Sequence, residues 1–160
     1  MKLDSKGPVI FKQERLGKDG KVFEMYKFRS MCVGAEHMGT GQYSYKGDSR
    51  VTRVGKIIRA TSLDELPQLI NILKGELSIV GPRPIVEKET EIYGKDIAKL
   101  LSVKPGLTGY WQAYARNNAT YESGERQRME MYYVEHCSLW MDIKILFRTV
   151  FSVIREDGAQ

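Results

Sequence analysis

The sequence predicts an α+β fold, in which a single, mostly helical domain over residues 1–160 carries a small β-hairpin or sheet at its N-terminus. The length of 160 residues suits one domain and allows a substantial core. Residues 9–15 and 22–31 have strand-like composition and flank Asp19-Gly20, a strong hairpin signal. From residue 51 onward, apolar side chains recur mainly at helical spacing.

The remaining elements follow in order. Residues 33–49 are rich in Gly, Ser, Tyr and Lys without periodicity, so we expect a loop that can close over a substrate. A short strand is predicted over residues 77–80. Helices are predicted over residues 51–60, 85–93 and 95–102, followed by two helices from residue 121 that are broken at 136–138, the second spanning 139–154.

Residues 62–68 (Ser-Leu-Asp-Glu-Leu-Pro-Gln) have the pattern of a helix start. Ser62 suits an N-cap and Glu65 follows three residues later, as in a capping box. Gly75 suits the position after the helix. An apolar stripe follows the cap at Leu66, Leu69, Ile70 and Leu73. An ordinary amphipathic helix would explain these features without any chemistry.

The charges around this helix favour phosphate chemistry. Asp64 and Glu65 are adjacent carboxylates, and Arg59 precedes them by five residues. Arg83 lies between two prolines in the Gly-Pro-Arg-Pro segment at residues 81–84. Each proline ring fixes its own φ and restricts the residue before it, so the backbone that carries Arg83 is stiff.

Taken together, these motifs resemble the bacterial sugar transferase family, the monotopic polyprenyl-phosphate phosphoglycosyl transferases. The resemblance extends in the family's order from about residue 7 to residue 149. The matching blocks are residues 11–17 (Phe-Lys-Gln-Glu-Arg-Leu-Gly), 26–31 (Tyr-Lys-Phe-Arg-Ser-Met), 59–68, 81–84, 104–109 (Lys-Pro-Gly-Leu-Thr-Gly) and 138–144 (Ser-Leu-Trp-Met-Asp-Ile-Lys).

The resemblance implies transfer of a sugar 1-phosphate from a UDP-sugar to polyprenyl (undecaprenyl) phosphate, which starts exopolysaccharide, capsule or O-antigen assembly. It makes Asp64 the nucleophile that forms a covalent phosphosugar intermediate, and also the metal contact. We expect Mg²⁺, because a diphosphate attacked by an anion needs its charge neutralised. Glu65 either positions or deprotonates the polyprenyl phosphate, or helps to organise the metal. We also expect Asp64 to stay ionised, because a helix start favours an anion.

Further residues are candidates for substrate binding. Arg59 and Arg83 are assigned to the diphosphate, since guanidinium groups bind phosphate bidentately, although surface ion pairs are the alternative. Lys27 and Arg29 share one face of a strand, which is either a phosphate-facing edge or the solvated side of the hairpin.

Two other candidates match family positions. Arg116 corresponds to a position near the nucleotide, but Ala115 stands where many members have glycine. Asp142 lies in the Ser-Leu-Trp-x-Asp block, where helix capping is an equally ordinary explanation.

Composition adds broad limits. A net charge of +5 and a pI near 9.1 indicate an anionic partner: a nucleotide, a phospholipid surface or a nucleic acid. Cys32 and Cys137 are far apart and the two histidines lack zinc spacing, so we expect a reducing compartment and no structural zinc.

The competing hypotheses are a phosphatase or nucleotide hydrolase with an aspartyl-phosphate intermediate, and a basic module that binds nucleic acid. The family resemblance argues against a nucleic-acid partner.

The last helix bears on membrane association. Residues 139–154 carry a wide apolar surface together with Lys144 and Arg148, and are too short and charged to cross a bilayer. Burial in the core is one explanation and an interfacial helix the other; the resemblance favours amphipathic membrane-surface helices on the cytoplasmic face of the bacterial inner membrane. Family members carry an apolar membrane-entering helix before the segment that starts here. We therefore expect this chain to be the catalytic part of a longer protein.

Overall fold

A computed structural model describes residues 6–38, 47–115 and 122–154 and confirms the α+β class. The strands are β1 (Ile10–Leu16), β2 (Val22–Phe28), β3 (Ser78–Val80) and β4 (Gly106–Thr108). The α-helices are α1 (Arg53–Ala60), α2 (Gln68–Leu73), α3 (Thr90–Tyr93), α4 (Ile97–Leu100), α5 (Tyr110–Ala115), α6 (Glu125–His136) and α7 (Leu139–Ile154). Short 3₁₀ turns occupy Lys18–Gly20, Ala35–His37, Leu63–Glu65, Glu87–Glu89 and Gly94–Asp96.

The N-terminal hairpin forms as predicted. Strands β1 and β2 pair antiparallel with Ile10 opposite Phe28 and Leu16 opposite Val22. The turn between them needs positive φ at Asp19 (58°) and Gly20 (74°), which Asp tolerates and Gly adopts freely. The predicted closing loop at 33–49 lies only partly within the described residues, since 39–46 are outside them.

A second, parallel sheet joins two motifs that are distant in the sequence. Ser78 pairs with Gly106 and Val80 with Thr108. The backbones meet so closely at Gly81 and Gly106 that a Cβ on either residue would collide with the other's strand. Both motifs therefore need glycine here. Sequence analysis predicted β3 but not β4.

The predicted capping box at Ser62 is wrong. Ser62 adopts a left-handed conformation (φ 55°), and its side chain makes no cap hydrogen bond. Residues Leu63–Glu65 form a 3₁₀ turn, and α2 starts only after Pro67. A helix from residue 63 would have Pro67 in its interior, where its ring would clash with the Leu63 carbonyl. The predicted end is confirmed, because Gly75 follows the helix with φ 76°.

Helix α2 buries its polar face. Gln68 and Asn71 are 3% and 0% exposed, whereas the apolar stripe faces outward. The exposed apolar side chains of this region are Leu63, Leu66, Leu69, Ile70 and Leu73. We call this set the α2 apolar face.

Among the described residues, the core consists of three small apolar clusters. The first contains Phe23, Met25 and Leu77, with Ile72 packed against it. The second contains Val80, Tyr133 and Ile145. The third contains Ile85, Tyr93 and Leu100, and joins the hairpin through Leu16. These clusters fix the hairpin, the parallel sheet and the C-terminal helices around the segment 81–85.

Helix α7 is only partly a core helix. Ile145 is fully buried, but a set of its apolar side chains is exposed: Leu139, Trp140, Leu146, Phe147, Val150 and Phe151. In the part of the chain that the structure describes, no helix is both long and apolar enough to cross a membrane. The wide apolar surface predicted from sequence is therefore present and lies outside the core over much of its extent.

Candidate active site

The adjacent carboxylates Asp64 and Glu65, called here the acid pair, lie in the 3₁₀ turn between α1 and α2. The Lys27 ammonium on β2 donates to Glu65 Oε1 at 2.9 Å. Both side chains of this ion pair are partly accessible, at 28% for Lys27 and 25% for Glu65. The Lys27–Glu65 ion pair is thus accessible enough to meet a ligand and sheltered enough for its charges to interact strongly.

Burial raises the pKa of Asp64 above its usual range. The positive charges of Lys27 and Arg59 lower it, and the neighbouring Glu65 carboxylate adds to the rise. The helix start that was expected to favour the anion is absent, because Leu63–Glu65 form a single 3₁₀ turn, and desolvation is the largest influence on the pKa of Asp64. Lys27 and Arg59 are the charges that favour the anionic form of Asp64.

Arg59 lies in the last turn of α1. Thr52 caps the helix, because its side chain accepts the Gly55 N–H at 2.9 Å. The helix lies so close to the Ser30 carbonyl that a side chain at residue 55 would have no room. The pKa of Asp48 is lowered to about 2, mainly by its hydrogen bonds with Arg50, and the charge of Arg59 adds to this lowering. Arg59 is therefore close enough to Asp64 for its charge to lower the pKa of that carboxyl, and its assignment to the diphosphate stays a prediction.

Asn71 attaches α2 to the hairpin. Its side-chain oxygen accepts the Tyr26 N–H at 3.1 Å, and its amide donates to the Glu24 carbonyl and to Glu76 Oε2, each at 2.7 Å. The side chain therefore satisfies both an N–H and a C=O of β2. Because Lys27 follows Tyr26, this attachment sets the distance between Lys27 and Glu65.

Arg83 lies in a second charged network, on the segment 81–86 that we call the arginine loop. Its guanidinium donates to Glu89 Oε1 at 3.3 Å, and Arg15 lies 3.6 Å from the other Glu89 oxygen. The Arg83 N–H donates to the Glu130 carboxylate, at 3.2 and 3.3 Å to the two oxygens. Burial raises the pKa of Glu130 to about 7, against the charges of Arg126 and Arg83.

The hairpin holds both groups, one at each edge. On β1, Arg15 donates to the Pro84 carbonyl at 3.0 Å and the Leu16 N–H donates to the Ile85 carbonyl at 2.8 Å. On β2, Lys27 and the backbone at Tyr26 hold the acid pair and α2. Glu89, Glu130 and Asn71 were not predicted as site residues, because no local pattern shows that distant segments meet there.

The other predicted residues lie elsewhere. Arg29 is buried and donates to the Lys6 carbonyl, so it anchors the start of the described chain. Asp142 accepts the Tyr133 hydroxyl at 2.8 Å and lines a cleft of about 290 Å³. The described lining of that cleft shares no residue with the acid pair: it contains Ser78, Val80, Val103, Lys104, Tyr133, Cys137, Ser138, Leu139 and Asp142. Arg116 lies outside the described residues.

The acid pair offers two adjacent carboxylate groups, a type of ligand that Mg²⁺ uses together with phosphate oxygens. Among the described residues, no cluster of three or more His, Cys, Asp or Glu side chains could hold a metal alone. Mg²⁺ typically takes one or two carboxylates and fills its other positions with phosphate oxygens and water. Asp64, with Glu65 beside it, fits such a site.

Comparison with known proteins identifies relatives of the whole described chain. A family model described as bacterial sugar transferase matches residues 1–156. An undecaprenyl-phosphate galactose phosphotransferase from Salmonella typhimurium is 44% identical over 167 residues, covering 96% of this chain and 35% of the relative.

Two further relatives differ in the sugar that their names give. A UDP-N-acetylgalactosamine-undecaprenyl-phosphate N-acetylgalactosaminephosphotransferase from Aeromonas hydrophila is 41% identical over 165 residues, covering 100% of this chain and 38% of the relative. A UDP-glucose:undecaprenyl-phosphate glucose-1-phosphate transferase from Klebsiella pneumoniae is 45% identical over 157 residues, covering 94% and 34%. The chain spans about a third of the length of these relatives.

Proposed function

Because the chain belongs to the bacterial sugar transferase family, we propose that it transfers a sugar 1-phosphate from a UDP-sugar to a polyprenyl phosphate and so starts a lipid-linked glycan. The observation that carries the proposal is the acid pair, partly buried and held by Lys27 within the influence of Arg59. The names of the three relatives all specify undecaprenyl phosphate, and two specify a UDP-sugar. The identity of the sugar differs among them.

In the first step, a carboxylate oxygen of Asp64 attacks the β-phosphorus of the UDP-sugar. The bond from that oxygen to phosphorus forms as the bond from the β-phosphorus to the bridging oxygen breaks. UMP leaves with the bonding electron pair, and the sugar phosphate stays on Asp64. Lys27 and Arg59 favour this step because they hold Asp64 in its anionic form.

In the second step, an oxygen of the polyprenyl phosphate attacks the same phosphorus and the bond to Asp64 breaks. The products are polyprenyl diphosphate sugar and the free Asp64 carboxylate. Glu65 lies beside the reacting group, where it can orient the acceptor phosphate or accept its proton if the acceptor arrives as a monoanion. Its ion pair with Lys27 fixes its orientation.

Arg59 and Arg83 are assigned to the phosphates. A guanidinium can donate two parallel hydrogen bonds to phosphate oxygens and stabilise the charge that spreads over them during transfer. The Arg83 side chain contacts Glu89 and is 30% exposed, so a ligand can approach it from solvent.

Asp64, with Glu65 as its nearest carboxylate neighbour, would hold Mg²⁺. When bound, this ion would neutralise charge on the diphosphate and on the oxygen that leaves. The chain's own cations would add to that effect.

We further propose that the protein rests on the cytoplasmic face of the bacterial inner membrane. The α2 apolar face and the exposed apolar residues of α7 support this location, because large exposed apolar surfaces mark interaction sites. On α7, Lys144 lies over the Trp140 ring and Arg148 over the Tyr114 ring, so the helix carries basic groups beside aromatic side chains, which suits an interfacial helix whose basic groups meet lipid phosphates.

Intact-mass measurement tests the covalent mechanism. The chain is incubated with Mg²⁺ and each of a panel of UDP-sugars, beside Asp64→Asn and the control Asp96→Asn, whose exposed aspartate lies in another 3₁₀ turn. The parent and the control are expected to gain the mass of one sugar phosphate, and Asp64→Asn is expected to gain none. Adding polyprenyl phosphate should discharge the adduct.

The other outcomes separate the alternatives. Turnover with no adduct and no dependence on Asp64 would contradict the mechanism. Release of free sugar phosphate without the lipid acceptor would indicate a hydrolase. Salt-sensitive binding of nucleic acid without any turnover would indicate the basic binding module.

A further inference from the structure

The backbone of the arginine loop is held at successive positions by different parts of the molecule. The Pro82 carbonyl accepts the Gly106 N–H at 2.9 Å, and the Pro84 carbonyl accepts from Arg15 at 3.0 Å. The Val86 N–H donates to Glu89 Oε2 at 3.0 Å. The direction of the loop is therefore set by long-range contacts as well as by its two prolines.

The Arg83 N–H has a special place in this loop. Proline has no backbone N–H, so Arg83 carries the one backbone donor of residues 82–84. That donor points at the Glu130 carboxylate, on α6 and 47 positions along the chain. Glu130 is only 1% exposed, so no solvent competes for the contact.

We propose that Glu130 is a positioning residue, which binds the Arg83 N–H and thereby fixes the direction in which Arg83 presents its guanidinium to the diphosphate of the sugar donor. The inference rests on the proposed function, since it takes the ligand of Arg83 from there. Glu130 is not a catalytic residue, because its side chain is enclosed and acts through Arg83.

The cost of burying Glu130 supports this role. A buried carboxylate is expensive and rarely stabilises a fold more than an apolar side chain of the same size would. The charged groups that face it are Arg126 on its own helix, Arg83 on the loop and Glu89 beyond it. Its acceptor function survives protonation, since a carboxylic acid keeps a carbonyl oxygen. Gln should therefore substitute for Glu here, and an apolar residue should not.

The test compares two variants. Glu130→Gln keeps a hydrogen-bond acceptor, and Glu130→Met keeps the side-chain length but has no acceptor oxygen. Each is made alone and together with Arg83→Gln, and Glu135→Met on the exposed side of the same helix is the control. The measurements are kcat/KM for the UDP-sugar and the hydrogen-exchange rate of the Arg83 amide. In the parent, we expect the Arg83 amide to exchange at least 100-fold more slowly than an unprotected amide. This measurement needs no variant.

We expect Glu130→Met to lower kcat/KM at least tenfold and to speed exchange at Arg83. Glu130→Gln should recover most of both losses, and Glu130→Met should cause no further loss in the Arg83→Gln background. Equal effects of Met and Gln, additive losses with Arg83→Gln, or an unprotected Arg83 amide in the parent would overturn the inference. A parent that transfers no sugar phosphate would instead contradict the proposed function, and the exchange rates would still decide whether Glu130 orders the loop.

Discussion

The two edges of the hairpin hold charged groups in opposite ways. At the β2 edge, Lys27 and Glu65 keep about a quarter of their side-chain surface exposed. At the β1 edge, Arg15 and Glu89 are 6% and 5% exposed, and they support Arg83 from within the protein. The edge to which we assign the reaction is therefore accessible, whereas the support of the arginine that we assign to phosphate binding is buried.

Glu89→Gln should cause the largest loss of stability. It would leave the buried Arg15 guanidinium without its neighbouring charge, and breaking a buried pair costs about 3 kcal/mol or more of unfolding free energy. Urea denaturation measures the change. Glu135→Gln, which removes an exposed pair with Lys99, should cost less than about 1 kcal/mol. Equal losses in the two variants would remove the distinction between the buried and the accessible edge.

Lys27→Met should act on activity rather than on the fold. Lys27 lowers the pKa of Asp64, so its removal should raise that pKa and move the acid limb of the kcat/KM profile to higher pH. Loss of a charge-assisted hydrogen bond at the acid pair should also lower kcat/KM about 10- to 100-fold at neutral pH. Steady-state kinetics across pH measures both effects.

The matched control is Lys12→Met on the neighbouring strand. Lys12 forms an ion pair of 2.8 Å with Glu24, but both side chains are about half exposed. Its removal should leave the profile in place. A Lys27→Met enzyme with the acid limb of the parent would show that Lys27 does not govern Asp64.

The elements that depend on local signals could be predicted from the sequence. The hairpin follows from Asp19-Gly20, and α1 and α7 follow from their apolar periodicity. The predicted start of α2 is wrong, because Pro67 opposes a helix that begins at residue 63, and this signal is present in the sequence. The family motifs located Asp64, Glu65 and Arg59 together, as the structure does.

The support of these residues could not be predicted in the same way. Strand β4 has three residues, and each residue that pairs with β3 lies 28 positions after its partner. Apolar periodicity predicted the α2 apolar face, but not that this face is exposed. Asn71 bonds the backbone of β2, so the polar side of α2 faces the hairpin and the apolar side faces outward. Glu89 and Glu130 carry no local signal, because their partners come from distant segments.

The pH dependence of stability should report the buried edge. Glu130 has a raised pKa of about 7 in the folded protein and an ordinary value of 4.5 when unfolded. The folded state therefore holds a proton that the unfolded chain releases, so this contribution to stability is full below pH 4.5 and is lost as pH rises through 7.

Glu130→Gln lacks this titration, and other ionisable groups largely cancel in the comparison. The unfolding free energy of the parent minus that of Glu130→Gln should fall by about 2–3 kcal/mol between pH 5 and pH 8. Urea denaturation at several pH values measures the difference. A difference that stays constant, or that grows with pH, would show that Glu130 is already ionised in the folded protein.

The smallest effect is expected at the α2 apolar face, which extends from the accessible edge of the hairpin. Leu73 is 88% exposed, so Leu73→Gln should change the unfolding free energy by less than about 0.5 kcal/mol. The same change should lower binding to anionic phospholipid vesicles about three- to tenfold, because a leucine that enters the bilayer interface contributes apolar area there. Vesicle co-sedimentation measures the binding.

Val22→Gln, at an exposed apolar position on the hairpin outside this face, should leave binding as it is. Equal losses in both variants would mean that general surface hydrophobicity, and not this face, brings the acid pair to the lipid.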